Sequence, residues 1–404
     1  MPWTGTVFKS LIAAAAILPC GSTGMLAGEP SADAGGGRSP FAPSPPASVQ
    51  QPDEEAPLLE LDVTGREKSA YPRVDGAVSL EFQNDYVTRS GNKEDEINDL
   101  TMSNDLFLAV RATPALSLQT SLVAEDVKDP RPGQNRYFED VGVYVETLGL
   151  VYQSGALTLF AGKFNPTFGV AWDLAPGIYG ADLADDYELT ERIGFGGAAT
   201  LDAGALGRHT LTGQTFYLDT SVLSQSWGTQ RGRTREGDGG VSNTKSLESF
   251  SVTLDGEVPR TLDGLRYQLG VERQRQGRTE SHDEWGLAAA VYGAFELAED
   301  VDIEPVLEWV WIRNLDGEPN TVTYATAGAA LYIGPWNVAV SSTNRATHPK
   351  GGGAFSDPLF QISAGYEFDN GFSLNVGFVS FQDEGVGTNA IGLLLAYDFD
   401  LEIR

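Results

Sequence analysis

The sequence predicts an all-β protein, a transmembrane antiparallel up-and-down β-barrel of about 16 strands within a range of roughly 14 to 18. Three observations lead to this fold class. Apolar and polar residues alternate with a period of two along most of the chain. Short turns alternate with longer polar connections, and aromatic residues collect near the predicted strand ends. A signal peptide and a disordered tether are expected to precede the barrel.

Residues 1–27 have the pattern of a cleaved export signal. Lys9 precedes the apolar run Leu11–Leu18, and small residues follow as far as Ala27. The single cysteine, Cys20, lies in this segment, and Pro19 before it disfavours lipidation. Cleavage would therefore leave a mature chain without a thiol, which excludes disulfides, cysteine nucleophiles and cysteine metal sites.

Residues 28–73 are rich in proline, glycine and alanine, above all at 35–46. Such a stretch buries too little apolar surface to offset the entropy of ordering it. We predict a disordered periplasmic tether here. The folded barrel is expected to begin near Val74 and to occupy residues 74–404.

The last segment shows the period of two most clearly. One face is apolar and the other is mixed, and no helix would separate these two sets. The first face consists of Ile391, Leu393, Leu395, Tyr397, Phe399 and Leu401, and the second of Ala390, Gly392, Leu394, Ala396, Asp398 and Asp400. The same alternation recurs at 116–125, 249–255, 265–272 and 372–378.

The connections sort by length. Seven short turns are expected at 113–114, 153–155, 202–208, 259–264, 298–302, 334–335 and 369–371. Eight longer loops are expected at 88–99, 128–138, 165–189, 220–246, 276–284, 313–320, 344–357 and 382–388. A soluble β-sandwich is the alternative fold, but it has no reason to segregate its loops by length. Short turns on one side and long loops on the other are typical of outer-membrane barrels.

Two short motifs resemble the Gram-negative outer-membrane porin family. Phe160–Gly169 is similar to a Gly-Lys…Pro-Phe-Gly stretch of phosphate-selective and siderophore-type porins, with Thr167 between the proline and the phenylalanine. Gly392–Tyr397 resembles the signal read by the barrel-assembly machinery, with Ala390 in place of the expected polar residue. The resemblance implies a homotrimeric diffusion channel in the cell outer membrane.

The formal net charge is −29 and basic residues are few, so nucleic acid is not an expected partner. When alternate residues of each strand are assigned to the interior, acids dominate the predicted inner wall. A negative interior concentrates cations. The inward acids are Glu81, Asp105, Glu125, Glu146, Asp255, Glu272, Glu296, Glu304, Glu308, Glu367 and Asp398, against the bases Arg111, Lys163 and Arg266. As pore-wall residues we select Arg111, Lys163, Arg266, Glu125 and Glu272.

The loop at 165–189 is predicted to narrow the pore. It is the third long loop, and its first half is apolar, which favours packing inside the barrel. Its second half carries Asp182, Asp185, Asp186 and Glu188, which we assign to the constriction. We expect these acids to face Arg111 and Arg266 across the pore. An ordinary surface loop is the alternative.

Together these features predict a porin: a water-filled channel for passive diffusion of small hydrophilic solutes or ions, with a preference for cations. The alternative functions are a receptor or channel for a specific ligand, such as an iron-siderophore or an anion, and a structural tether to the cell wall. Outer-membrane lipid and lipopolysaccharide are expected partners, the latter through Arg231, Arg233, Arg235 and Lys245. With three histidines and no catalytic motif, we expect no enzyme and no cofactor or metal.

Overall fold

The computed structural model describes residues 71–258, 264–280 and 282–403. It is a closed antiparallel β-barrel of 16 long strands. The predicted signal peptide and nearly all of the predicted tether lie outside the described residues. In chain order the strands are β1 Arg73–Ser90, β2 Asn98–Arg111, β3 Leu116–Asp126, β4 Val141–Ser154, β5 Leu157–Phe164, β6 Arg192–Asp202, β7 Arg208–Leu218, β8 Ser249–Glu257, β9 Leu265–Gln274, β10 Glu284–Gly293, β11 Val301–Arg313, β12 Asn320–Ile333, β13 Trp336–Pro349, β14 Phe355–Glu367, β15 Phe372–Asp383 and β16 Val386–Ile403.

Each strand pairs with its neighbours in sequence, and β10 continues past Ala294 as Phe295–Ala298. The first and last strands close the sheet. Leu80 of β1 lies opposite Tyr397 of β16 on one side and opposite Asn104 of β2 on the other. Closure leaves no strand edge unpaired, which is what a sheet in hydrocarbon requires.

The predicted alternation is confirmed, because successive side chains of a strand differ sharply in exposure. Leu393 of β16 is 45% exposed, whereas Leu394 beside it is 0% exposed. The exposed set is predominantly apolar and forms the outer face. Its members include Leu118, Leu150, Leu159, Phe195, Leu269, Leu287, Leu307, Val338, Ile362 and Val376.

Aromatic side chains cluster on the outer face beside the short turns. Trp336 packs edge-on against Tyr366 with their ring centroids 4.8 Å apart, and Phe372 stacks on Tyr397 at 4.5 Å. Phe368 joins them through Tyr366 at 4.9 Å. Such a band at the membrane interface places the apolar body of each ring in lipid and leaves its polar edge near water.

The segregation of short turns from long loops holds only in part, because the connections expected to be long become short toward the end of the chain. The connection between β15 and β16 is only Glu384 and Gly385, where we expected a loop at 382–388. Both residues have positive φ, which allows the tight hairpin turn whose twist matches the flanking strands. The neighbouring loop between β13 and β14 is also shorter than expected, because β13 continues to Pro349.

The α-helix α1, Ala171–Leu174, is a single turn. Among the described residues, no helix is long and apolar enough to cross a membrane.

The core lies inside the barrel, between the wall and the long connection from β5 to β6. We name residues 165–191 the inner loop. Its side chains Phe168, Tyr179, Ala184 and Tyr187 are buried, together with wall residues such as Val310. The predicted packing of this loop inside the barrel is therefore what the structure has.

Glycine at position 377 of β15 makes room for the inner loop. A Cβ there would lie 2.6 Å from Cγ1 of Ile178. We expect Gly377→Val to displace Ile178 and to lower the free energy of unfolding in detergent by about 1–3 kcal/mol, the usual cost of overpacking. The matched control is Gly387→Val on β16, where a Cβ would meet nothing within 4 Å. Equal urea midpoints for the two variants would contradict this packing.

Candidate functional site

The inner loop is anchored to the far wall by one buried carboxylate. Glu308 of β11 is 5% exposed and accepts three hydrogen bonds from the loop. The donors are the backbone N–H groups of Val170 at 2.5 Å and Ala171 at 3.0 Å, and the hydroxyl of Tyr187 at 2.5 Å. The first N–H groups of a helix lack partners within the helix, so Glu308 satisfies the start of α1 and holds both halves of the loop.

A second anchor holds the acidic half of the inner loop. The guanidinium of Arg345 on β13 donates to Asp186 at 2.9 Å and to Asp357 of β14 at 2.9 Å, and it also pairs with Asp383. The hydroxyl of Tyr324 on β12 donates to the same Asp186 oxygen at 3.0 Å. One arginine surrounded by three carboxylates fixes the loop against three neighbouring strands.

Further contacts fasten the middle of the loop on either side. The hydroxyl of Tyr179 donates to Asp85 of β1 at 2.5 Å, and the side-chain amide of Gln361 on β14 donates to the carbonyl of Pro176 at 2.7 Å. At the start of the loop, the hydroxyls of Thr167 and Thr253 of β8 lie 3.2 Å apart. The loop therefore crosses the interior from β5 to the opposite wall and back to β6.

The four predicted constriction acids have different environments. Asp186 is the ion-pair partner of Arg345, and both carboxylate oxygens of Asp182 are buried without a hydrogen-bond partner. Burial raises the pKa of Asp182 well above its usual range, and repulsion from Asp185 raises that pKa further. Burial likewise raises the pKa of Glu188, as does its repulsion from Asp185 and from Glu146 of β4.

Glu188 extends toward the wall formed by β3 and β4. Its electrostatic neighbours include Glu125 of β3 and Glu146 of β4, so acids face acids across this gap. Glu146 is the extra residue of a β-bulge, since Thr147 pairs with Ser121 and Val145 with Leu122. A bulge redirects a side chain, and here the Glu146 carboxylate accepts from Asn165 at 3.1 Å, at the start of the inner loop.

The predicted wall acids face the interior. Glu125 accepts a hydrogen bond of 2.7 Å from the hydroxyl of Tyr144. Glu272 of β9 is 1% exposed and lies against the carboxyl group of Glu284 on β10. Glu125 is thus accessible to the interior, whereas Glu272 is covered.

The predicted wall bases are all engaged by carboxylates. The ammonium of Lys163 lies 2.8 Å from Glu191 and 2.9 Å from Asp219. Arg111 pairs with Asp75 at 2.5 Å and Arg266 with Glu257 at 3.6 Å, and both pairs stand at the short-turn ends of their strands.

The expectation that the loop acids face Arg111 and Arg266 is therefore wrong. Those two arginines belong to strand ends beside the short turns, while the inner loop enters from the opposite end of the barrel. The base that pairs with the acids of the inner loop is Arg345, which we predicted to lie in the connection 344–357. Strand parity could have found it, because Ser341, Thr343 and Arg345 continue the inward face of β13.

A closed barrel with an apolar outer face and a polar interior is the architecture of β-barrels that span the outer membrane. No family model matches the chain, and no curated protein matches it. Among solved structures, the outer-membrane channel DcaP of Acinetobacter baumannii is 12% identical with a TM-score of 0.52, covering 81% of this chain and 96% of that one. A loop L8 deletion mutant of OmpT, an outer-membrane protein of Vibrio cholerae, is 12% identical with a TM-score of 0.50, covering 81% and 99%.

These likenesses concern the fold. They support the closed barrel that the sequence predicts, and its apolar outer face suits the lipid of a membrane. The chemistry of the interior has to be argued from this chain's own residues.

Replacing Glu308 by alanine is expected to loosen the inner loop. Each hydrogen bond to a buried carboxylate contributes about 1.5–3 kcal/mol, so the amides of Val170 and Ala171 should exchange with solvent at least about 10-fold faster. Hydrogen exchange read by mass spectrometry on peptides of the inner loop measures this change.

Glu304→Ala is the matched control. Glu304 lies four residues nearer the short turns on the same face of β11, and among the described residues it has no hydrogen bond to the inner loop. Unchanged exchange in Glu308→Ala, or equal acceleration in both variants, would show that Glu308 is not the anchor.

Proposed function

We propose that the protein is a porin-type channel for the passive diffusion of small hydrophilic solutes or ions, with a preference for cations. The observation that carries the proposal is the imbalance of charge around the inner loop. Glu188 on the loop faces Glu125 and Glu146 on the wall, and all three are partly exposed. A narrow, low-dielectric passage lined by one sign of charge concentrates ions of the opposite sign.

The inward-facing bases are outnumbered by the carboxylates around them. Arg192 of β6 lies within electrostatic reach of four acids, which are Glu188, Glu191, Glu272 and Glu284. Lys163 and Arg345 are each held by two or more carboxylates. Arg231, the base nearest to Glu125, donates to Glu191 at 2.5 Å and lies over the Tyr144 ring at 3.6 Å. Bases neutralised in this way leave the remaining acids to set the sign of the passage.

We also propose that the protein works as a homotrimer inserted by the barrel-assembly machinery, as the porin resemblance implies. Lipopolysaccharide contact at the cell surface is proposed for Arg233 and Arg235, which are exposed in the loop between β7 and β8. Arg231 of that loop points to Glu191, and Lys245 pairs with Glu236 at 3.0 Å, so these two bases are already used within the protein.

The competing function is a receptor or channel for a specific ligand, such as an iron-siderophore or another anion. It rests on the similarity of Phe160–Gly169 to siderophore-type and phosphate-selective porins. Saturable binding of such a ligand to the purified protein, together with conductance that the ligand blocks, would favour it over general diffusion. The tether hypothesis concerns residues outside the described part of the chain.

Planar-bilayer recording across a potassium chloride gradient tests the channel. We expect stable conductance with a reversal potential on the cation side, and a shift toward zero in the double variant Glu125→Gln and Glu146→Gln. The double variant Glu318→Gln and Glu384→Gln, at exposed positions of the β11–β12 and β15–β16 connections, is the control of equal charge change. A reversal potential on the anion side would overturn the cation preference, and folded protein without conductance would overturn the channel.

The cation preference is also expected to rise with pH. Because the pKa values of Asp182 and Glu188 are raised, these groups gain negative charge only as the pH increases through their raised pKa values. The reversal potential should therefore move further to the cation side from mildly acidic to mildly alkaline solution. Glu188→Gln should flatten this dependence, and a profile unchanged by that substitution would exclude Glu188 as its source.

A further inference from the structure

We infer that solutes pass the inner loop along the wall formed by β1, β2 and Glu125 of β3, which we name the near wall. The inner loop covers the opposite wall from β8 to β14, which we name the far wall. The inference rests on the proposed channel function and assigns its route. The first observation is a difference in burial between polar residues that all face the interior. On the far wall Thr253 of β8 is 1% exposed, and Ser341 and Thr343 of β13 are 2% and 0% exposed.

The inner loop accounts for this burial. The Pro176 ring lies where a Cβ of Gly328 would be, with its Cδ 2.6 Å from that point, next to Ser341 on the neighbouring strand. Gln361, which pairs with Ser341 from β14, is bonded to the Pro176 carbonyl. Polar wall residues sealed beneath a proline and its neighbours are closed to a hydrated solute.

The near wall has the opposite character. Ser103 of β2 pairs with Glu81 of β1 on one side and with Glu125 of β3 on the other, and all three are partly exposed toward the interior. Asp105 continues the same face of β2 toward the short turns and is likewise partly exposed. The near wall is therefore polar and accessible at Glu81, Ser103, Asp105 and Glu125. It is covered beside them, where Gln83 and Thr101 are buried and Tyr179 of the inner loop bonds to Asp85.

The acids of the near wall form a continuous series. Asp105 interacts electrostatically with Glu125 and Glu146 toward the inner loop and with Asp398 of β16 toward the short turns. Glu81 interacts with Asp105 and Asp398, and Glu188 extends the series from the loop side. Successive carboxylates within electrostatic reach of each other suit small hydrated cations, inorganic ions or amines, which can pass from one acid to the next.

Thiol accessibility tests this route, since residues 21–404 contain no cysteine. The matched variants are Ser103→Cys on the near wall and Ser341→Cys on the far wall, which make the same conservative change. A small, permanently cationic methanethiosulfonate reagent is added to channels in a planar bilayer. We expect rapid modification and a fall in conductance in Ser103→Cys, and modification at least about 100-fold slower in Ser341→Cys.

Heat-modifiable migration on gels verifies that both variants are folded, and labelling in urea verifies that both thiols are reactive. Similar rates at the two positions, or faster modification at 341, would overturn the route while the conductance itself still supported the channel. Absence of conductance in the unsubstituted protein would overturn the proposed function instead, so the two failures are distinguishable.

Discussion

The pairing of β1 with β16 is the constraint on which the rest of the molecule depends. In lipid, every backbone N–H and C=O must find a partner within the protein, and a sheet meets this requirement only when its first and last strands join. Closure then fixes which side chains face lipid and which face the interior, because residues alternate along every strand. The apolar outer face and the acidic inner face are consequences of a single closed ladder.

Closure also encloses an interior space, which the inner loop partly fills. A barrel of 16 strands is wide enough to hold an aqueous interior, so its permeability is set by what occupies that space. The loop occupies it with apolar side chains and is fixed by two charged groups of the wall, Glu308 and Arg345. A buried charge is tolerated when it is paired or bonded. Glu308 meets this condition through the loop it holds, and Arg345 meets it through Asp186 of the loop together with Asp357 and Asp383 of the wall.

Local pattern was sufficient to predict the fold, whereas the contacts of the site required tertiary information. The period of two and the lengths of the connections gave the strand number, and parity placed Glu125 and Glu308 on the inner face. The alternation of inward and outward residues does not show which wall a loop contacts. Asp186 was therefore predicted to face Arg111 and Arg266 instead of Arg345. Glycines and prolines near 349–353 also concealed the end of β13, and with it the inward position of Arg345.

These contacts distinguish the carboxylates that are buried or paired from those that remain exposed to the interior. Carboxylates outnumber bases in the chain, but those of the far wall that lie nearest the inner loop are buried, as Glu272, Glu308 and Asp357 are. Only the carboxylates left at least partly exposed can act on a passing solute. At the level of the inner loop these are Glu81, Asp105, Glu125 and the bulge residue Glu146, and nearer the short turns they include Asp255, Glu304 and Glu367. Selectivity in such a barrel is therefore decided by where the loop packs, since the loop determines which acids remain in contact with water.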